Sequence, residues 1–375
     1  MDFHQDVLKE LNKNITLSEK LESIHRVLKS RFPMIDRIAV AVYDAKTDLL
    51  KTFSHSSGPQ APLVRYEAKM GESRSLLEIL ETGMPRVIND LTVFGPSERM
   101  HTQRIAAEGY VSSYTMPMYI NGTFFGFVFF NAREKNTLDP EVLHYLDVFG
   151  HLVSLTIIND LMTIRTMLAT VKAARDISAH RDMETGAHLD RMSHYARLIA
   201  KELAERYGFD DEFIEHIFLF APLHDIGKIG VPDAILRKPA RLTEDEFETM
   251  KTHTQKGRQM IDAMLKDFGL DSFQHIDVMR NIAEYHHETI DGRGYPHGMK
   301  GDAIPIESKI IAVSDIFDAL TSRRPYKTAW TNEEAFAMLR QLAGRQLDRD
   351  CVDALIKNAG RVEEIQKRFR ENPFA

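Results

Sequence analysis

The doublets His224-Asp225 and His286-His287 are the residues of this chain best placed to do chemistry. An adjacent His and Asp set a nitrogen donor beside a hard oxygen donor, and the second doublet adds two imidazoles. A cluster of that make-up holds more than one divalent ion and generates hydroxide at neutral pH. In chain order the candidate ligands are Glu184, His188, His224, Asp225, His253, His286, His287 and Asp315. Glu184 and His188 are four apart, so on a helix both project from one face, about 6 Å from each other. Asp315 sits on another helical stretch with Asp318 one turn further on, and His253 falls late in the helix that Thr243 opens. Mixed imidazole and carboxylate donors suit iron, manganese, zinc or nickel and are too nitrogen-rich for a magnesium or calcium cage. A lone His or Asp in a helical protein is ordinarily solvated or satisfied in the core. The doublets are harder to set aside, because burying adjacent polar side chains without partners is costly.

Helices must position these residues. Arg197 to Tyr207, Asp211 to Pro222, Thr243 to Leu265, Phe273 to His286, Ile306 to Leu320 and Asn332 to Leu342 all carry helical periodicity. Thr243-Glu244-Asp245-Glu246 and Thr331-Asn332-Glu333-Glu334 read as capping boxes with acidic first turns. Residues 180–375 are therefore expected to form an all-α bundle, whose core is the usual place for a di-metal site.

The first 150 residues follow a different pattern. Residues 1–31 read as helical, then Ile38 to Tyr43 and Leu49 to Phe53 alternate as strands about the turn Asp44 to Asp48. Tyr114 to Ile120 and Thr123 to Phe130 flank Asn121-Gly122, the preferred type I′ turn dipeptide. Helices are expected near 73–82 and 97–109. Short helices about a mostly antiparallel sheet make residues 1–150 an α+β, sensor-sized domain. Between the domains, residues 138–179 read as one long helix. Phe149, Val153, Ile157, Leu161, Ile164, Leu168 and Val171 mark its apolar stripe, a spacing that suits a nearly straight helical pair. A helix of that length points to a connector that forms a homodimer.

The order helix, strand pair, helix, Pro85 to Asp90, helix and Asn-Gly hairpin resembles a GAF domain. That resemblance implies small-ligand sensing or dimerisation, and the absence of cysteine from this segment excludes thioether attachment of a bilin.

His224-Asp225-Ile226-Gly227-Lys228-Ile229-Gly230-Val231-Pro232, with Ile235 to Pro239, resembles the signature of HD-GYP domains, a branch of the HD phosphohydrolase superfamily. Glu184 to His188, Met250 to His253, Tyr285 to Glu288, Gly294-Tyr295-Pro296, Asp315 to Leu320 and Arg324 to Lys327 extend the likeness. Ala240 and Thr254 depart from the family's usual glycine and proline without touching a ligand position.

The resemblance implies a phosphodiesterase that linearises cyclic di-GMP to pGpG, which the family often carries on to GMP, with the eight residues above as metal ligands. It also implies two ions, and a third where Glu184 joins. Iron is preferred over manganese because histidine and carboxylate donors can exploit a redox pair. His224, Asp225 and Lys228 would carry the catalysis, with Asp225 the natural bridging carboxylate. Lys228, Tyr295, Arg324 and Lys327 would meet the substrate, and Asp318 is counted with them. Arg324 suits a bidentate grip on phosphate or a guanine edge, Lys327 a point contact, and Tyr295 base stacking. Rival readings are a 3′,3′-cyclic GMP-AMP phosphodiesterase and a catalytically silent receptor for the nucleotide. The Gly-Tyr-Pro loop is also a candidate contact for diguanylate cyclases.

Bulk properties bound the rest. A net charge of −7 with interspersed signs argues against a nucleic-acid partner. The single cysteine, Cys351, fits a reducing compartment. No basic n-region opens the chain and no unbroken apolar run reaches membrane-spanning length. The expectation is a cytoplasmic protein without a membrane span.

Overall fold

Period-two alternation near the start of the chain produces a six-stranded antiparallel sheet. Its strands are β1 (Arg37–Asp44), β2 (Leu49–Ser56), β3 (Glu67–Lys69), β4 (Arg86–Ile88), β5 (Ser112–Ile120) and β6 (Thr123–Ala132), in the spatial order β3-β2-β1-β6-β5-β4. The computed structural model describes residues 4–57, 66–93, 105–177, 186–268, 275–322 and 329–370, with the side chains of 171–177 set aside. Asn121 and Gly122 close the β5–β6 hairpin with φ of 48° and 79°, the two positive values a type I′ turn requires. Helix α1 (Leu17–Arg31) opens on a capping box between Thr16 and Glu19 and buries Leu21, Ile24 and Leu28. On one face of the sheet, Ala39, Ala41, Phe127 and Phe129 pack with Leu76 and Ile79 of α2 (Arg74–Thr82). The helix expected at 97–109 falls largely on 94–104, outside the described residues; 105–107 are helical.

Helix α3 runs from Pro140 to Ile177. Leu146, Val153, Ile157, Leu161, Ile164 and Met167 are buried along it. Of the expected stripe, Phe149 and Leu168 are only half-buried while Leu146 and Met167 take inner positions, and the Val171 side chain is outside those described. Over Pro140–Thr170 this is the one described helix long and apolar enough to cross a membrane. It is nevertheless tied to its own unit by polar contacts: Tyr114 donates to Asp147, Lys20 pairs with Asp160 at 2.8 Å, and Arg165 lies over the Phe125 ring. The chain divides within α3 into two units, Met1–Arg165 and Thr166–Ala375.

The second unit is all-α among its described residues. It comprises α4 (Gly186–Tyr207), α5 (Asp211–Phe220), α6 (Asp233–Leu236), α7 (Glu244–Lys251), α8 (His253–Asp267), α9 (Ile276–Tyr285), α10 (Ile306–Thr321), α11 (Asn332–Leu342), α12 (Arg349–Lys357) and α13 (Ala359–Arg368). The capping boxes at Thr243/Glu246 and Thr331/Glu334 are both present. Met192, Tyr195, Ile199, Ile217, Ile282, Ile310, Val313 and Phe317 form the buried centre where these helices meet.

The single helix expected from Thr243 to Leu265 is in fact two, α7 and α8, divided at Thr252. Its hydroxyl donates to Thr249 O at 2.6 Å, and that of Thr254 donates to Lys251 O at 3.0 Å. Such side-chain capture of carbonyls competes with helix continuation. His253 therefore begins a helix rather than ending one.

Candidate metal centre

Helix α5 runs into two tight 3-10 turns, Ala221–Leu223 and Ile226–Gly230, with His224 and Asp225 between them. The second turn presses against the first residue of α8. A Cβ placed on Gly227 would lie 1.8 Å from His253 O and 2.4 Å from Gly257 N, so only glycine lets the backbones meet. That contact brings Asp225 to His253. Helix α9 delivers His286 and His287 just past its C-terminus, α4 supplies His188, and α10 supplies Asp315.

Seven expected ligands converge as two groups. Asp225, His253, His286 and His287 place donor atoms within 4.8 Å of one another, and His188, His224 and Asp315 do the same. Asp225 addresses both groups with different oxygens. Its Oδ1 lies 3.1 Å from His253 Nε2 and 3.7 Å from His286 Nε2, while Oδ2 lies 3.1 Å from His224 Nε2. His188 Nε2 is 3.9 Å from Asp315 Oδ1. Glu184 is outside the described residues, as are Arg324 and Lys327.

The imidazoles are held in one tautomer by what stands behind them. Nδ1 of His224, His253 and His286 faces the carbonyls of Ala221, Met250 and Ile282 at 3.0, 2.8 and 2.9 Å. A carbonyl only accepts, so Nδ1 carries the hydrogen and Nε2 is the atom turned to the cluster. Nε2 of His253 and of His286 is buried and makes no aligned hydrogen bond. Ring nitrogens turned on a carboxylate fit divalent transition ions, and the clusters are compatible with binding them.

The electrostatics agree. Burial alone would push the Asp225 carboxyl up. The Lys228 ammonium, 2.8 Å away, and His224 outweigh it and hold the group well below the usual carboxylate range. Burial pushes His286 and His287 down, so both stay neutral near pH 7.

Asp318, expected beside the substrate, is engaged within the protein. Its side chain is 0% exposed. Both of its oxygens are engaged: His188 Nδ1 at 2.8 Å, Arg191 Nε and Nη2 at 2.6 and 2.8 Å, and Ser322 Oγ at 2.9 Å. One helical turn separates Asp315 from Asp318, so His188 lies between them with a ring nitrogen toward each. Arg191 was not singled out from the sequence. Its only signal was position, three residues past His188 on the same helix.

At the edge of the cluster the Tyr295 ring packs on His287, centroids 4.7 Å apart. Glu288 shapes this loop by accepting from His297 N and Met299 N at 2.7 and 2.9 Å. Phe247 stands edge-on to Tyr295 at 6.3 Å, and Lys251 Nζ lies 5.6 and 5.8 Å from the two ring centroids. Neither Phe247 nor Lys251 was foreseen; each reads as an ordinary surface residue of α7.

Residues 173–351 match the HD domain family. The chain is 46% identical over 190 residues to the cyclic di-GMP phosphodiesterase response regulator RpfG of Xanthomonas campestris pv. campestris (strain 8004), covering 51% of this chain and 47% of that protein. It is 40% identical over 211 residues to a probable cyclic di-GMP phosphodiesterase of Vibrio cholerae, covering 55% and 48%. It is 33% identical over 229 residues to the 3′3′-cGAMP-specific phosphodiesterase 2 of Vibrio cholerae, covering 60% and 41%. The chain thus spans about half the length of these curated relatives or less. Among solved structures, the phycocyanobilin-bound GAF domain of a cyanobacterial phytochrome is similar with a TM-score of 0.33 at 15% identity, over 40% of this chain and 91% of that domain.

Proposed function

We infer that this chain, whose residues 173–351 match the HD domain family, is a metal-dependent phosphodiesterase that linearises cyclic di-GMP to pGpG, with GMP the product where hydrolysis continues. The observation that supports this most is Asp225, one oxygen toward His253 and His286 and the other toward His224. A carboxylate so placed would be shared by two ions, one held with His253, His286 and His287, the other with His188, His224 and Asp315. Glu184 would add a third. Iron is the preferred metal and manganese the alternative, because the nitrogen-rich donors suit a redox-active ion. Bound ions would supply Lewis-acid polarisation of the phosphodiester and bring water's pKa toward neutrality.

The chain's own residues do the rest. Lys228, within 2.8 Å of Asp225, places an ammonium beside the point where phosphoryl negative charge develops, the electrostatic assistance that loose transition states require. Tyr295, backed by His287, offers a ring for a purine. Arg324 and Lys327 are assigned to phosphate and guanine-edge contacts. The hydrogen bonds behind His188, His224, His253 and His286 fix ring orientation before substrate arrives.

The N-terminal α+β unit would act as a GAF-like regulatory domain. A small cavity lined by Arg37, Thr52, Tyr66, Ile105 and Phe129 is the place an effector would lodge. Homodimerisation would run through α3, where Val148 and Leu155 are 55% and 67% exposed on one face. A diguanylate cyclase contact is assigned to the Gly-Tyr-Pro loop, and the reaction to the cytoplasm.

The relative named as 3′3′-cGAMP-specific supports a second substrate, which shares the backbone and differs in one purine. Initial rates on cyclic di-GMP and 3′,3′-cyclic GMP-AMP, measured side by side under anaerobic conditions, test the choice. Faster turnover of the hybrid would transfer the function to it. Tight binding without turnover of either would make the chain a receptor.

A further inference from the structure

A second cluster of metal-ligating side chains lies apart from the centre just described. Glu212 and His216 are four apart on α5, hence on one face, and His275 stands at the start of α9 with φ of 60°. One donor atom from each lies within 4.8 Å of the others. Glu212 is 2% exposed and His216 0%. Aromatic rings flank it: Phe220 stacks on the His216 ring at 5.2 Å and Phe213 stands by His275.

The spacing discriminates between two explanations. His275 Nε2 lies 3.9 Å from Glu212 Oε1, too long for a hydrogen bond. Two donors on one zinc ion, each bonded at about 2.0–2.2 Å, stand no more than about 4.4 Å apart. The observed separation fits a pair that shares an ion better than a pair that bonds directly. Protonation agrees: burial, then neighbouring His275, pushes His216 down to about 3, and burial pushes His275 down. Both imidazoles are therefore neutral at pH 7 with a lone pair to give.

We propose that Glu212, His216 and His275 form a separate, mononuclear site for zinc or a divalent ion of similar preference, with a fourth position left to water. Its effect follows from placement. The site joins the start of α5 to the start of α9. The residues following α5 carry His224 and Asp225, and those following α9 carry His286 and His287. An ion there pins the far ends of both elements that supply the phosphodiesterase centre. This site does not depend on the function proposed above.

The full chain, stripped by chelator and reloaded with zinc or cobalt(II), provides the test. Metal per chain is measured in the parent, in His253→Ala/His286→Ala to weaken the other centre, and in each with His275→Ala added. His275 lies partly exposed at a helix start, so its replacement leaves the core intact; Glu212→Gln is a second, near-isosteric probe. We expect His275→Ala and Glu212→Gln each to remove one ion per chain in both backgrounds. In the weakened background they should also lower the visible bands of four-coordinate cobalt by the share of one ion per chain. Unchanged metal content and an unchanged cobalt spectrum in both variants would overturn the proposal.

Discussion

Asp318→Asn separates two roles for one carboxylate. Asp318 is wholly buried and accepts from His188, Arg191 and Ser322. Burial raises its carboxyl, but Arg191 and His188 outweigh that and hold it below the usual range, so it is ionised at neutral pH. Asparagine keeps the shape and one acceptor while removing the charge that fixes the His188 ring. Losing a carboxylate behind a metal-binding histidine typically costs 10–100-fold in metal affinity, or about 1.4–2.8 kcal/mol. Asp318→Ala would cost more in stability, in the ~3–5 kcal/mol range of a broken buried pair, because Arg191 would keep an uncompensated charge. Competition against a chromophoric chelator reads the affinity, and turnover at limiting and excess metal reads the consequence. We expect weaker metal binding, activity recovered by excess metal and an unchanged KM for the nucleotide. A raised KM with unchanged metal affinity would refute the reasoning and restore Asp318 as a substrate contact.

Three further outcomes follow from the geometry. Gly227→Ala would force a Cβ to 1.8 Å from His253 O, so a loss at the upper end of the ~1–3 kcal/mol overpacking range, or beyond it, is expected, with reduced metal loading. A melting temperature equal to the parent's would contradict the close contact. In metal-stripped protein, His216 is pushed down to about 3 while an unfolded histidine titrates near ~6.5. Between those values the unfolded chain binds the extra proton, so stability falls as pH drops through the window, with a limiting slope of about 1.4 kcal/mol per pH unit. His216→Leu should flatten that slope in urea titrations at pH 4 to 6; an identical slope would show that His216 does not titrate as a buried group. Finally, Val148→Glu/Leu155→Glu should halve the mass seen by light scattering, and an unchanged mass would remove α3 as the dimer contact.

Seven of the eight candidate ligands could be picked from the sequence as a cluster, because metal binding requires donor types at fixed positions. Asp225, His253, His286 and His287 come together in one group, and His188, His224 and Asp315 in another. The hairpin at Asn121-Gly122 was legible for the same kind of reason, since the turn demands two positive φ angles. What was not legible depended on hydrogen bonds between distant segments. Asp318 reads as a substrate contact, and only the fold reveals Arg191 and His188 on either side of it. The break at Thr252 arises from hydroxyls that bond backward to carbonyls, a competition periodicity does not register. Likewise His216 and His275 stand far apart in the chain, and neither carries a motif that would pair it with Glu212.

The most direct test of the central claim is metal content and cyclic di-GMP hydrolysis measured on one anaerobic sample, beside His224→Ala/Asp225→Ala. The account predicts at least two ions per chain and linearisation of the substrate, with hydrolysis and the ions of this centre lost in the double variant. Hydrolysis that persists in the double variant, or full metal loading with no hydrolysis of either cyclic dinucleotide, would contradict it.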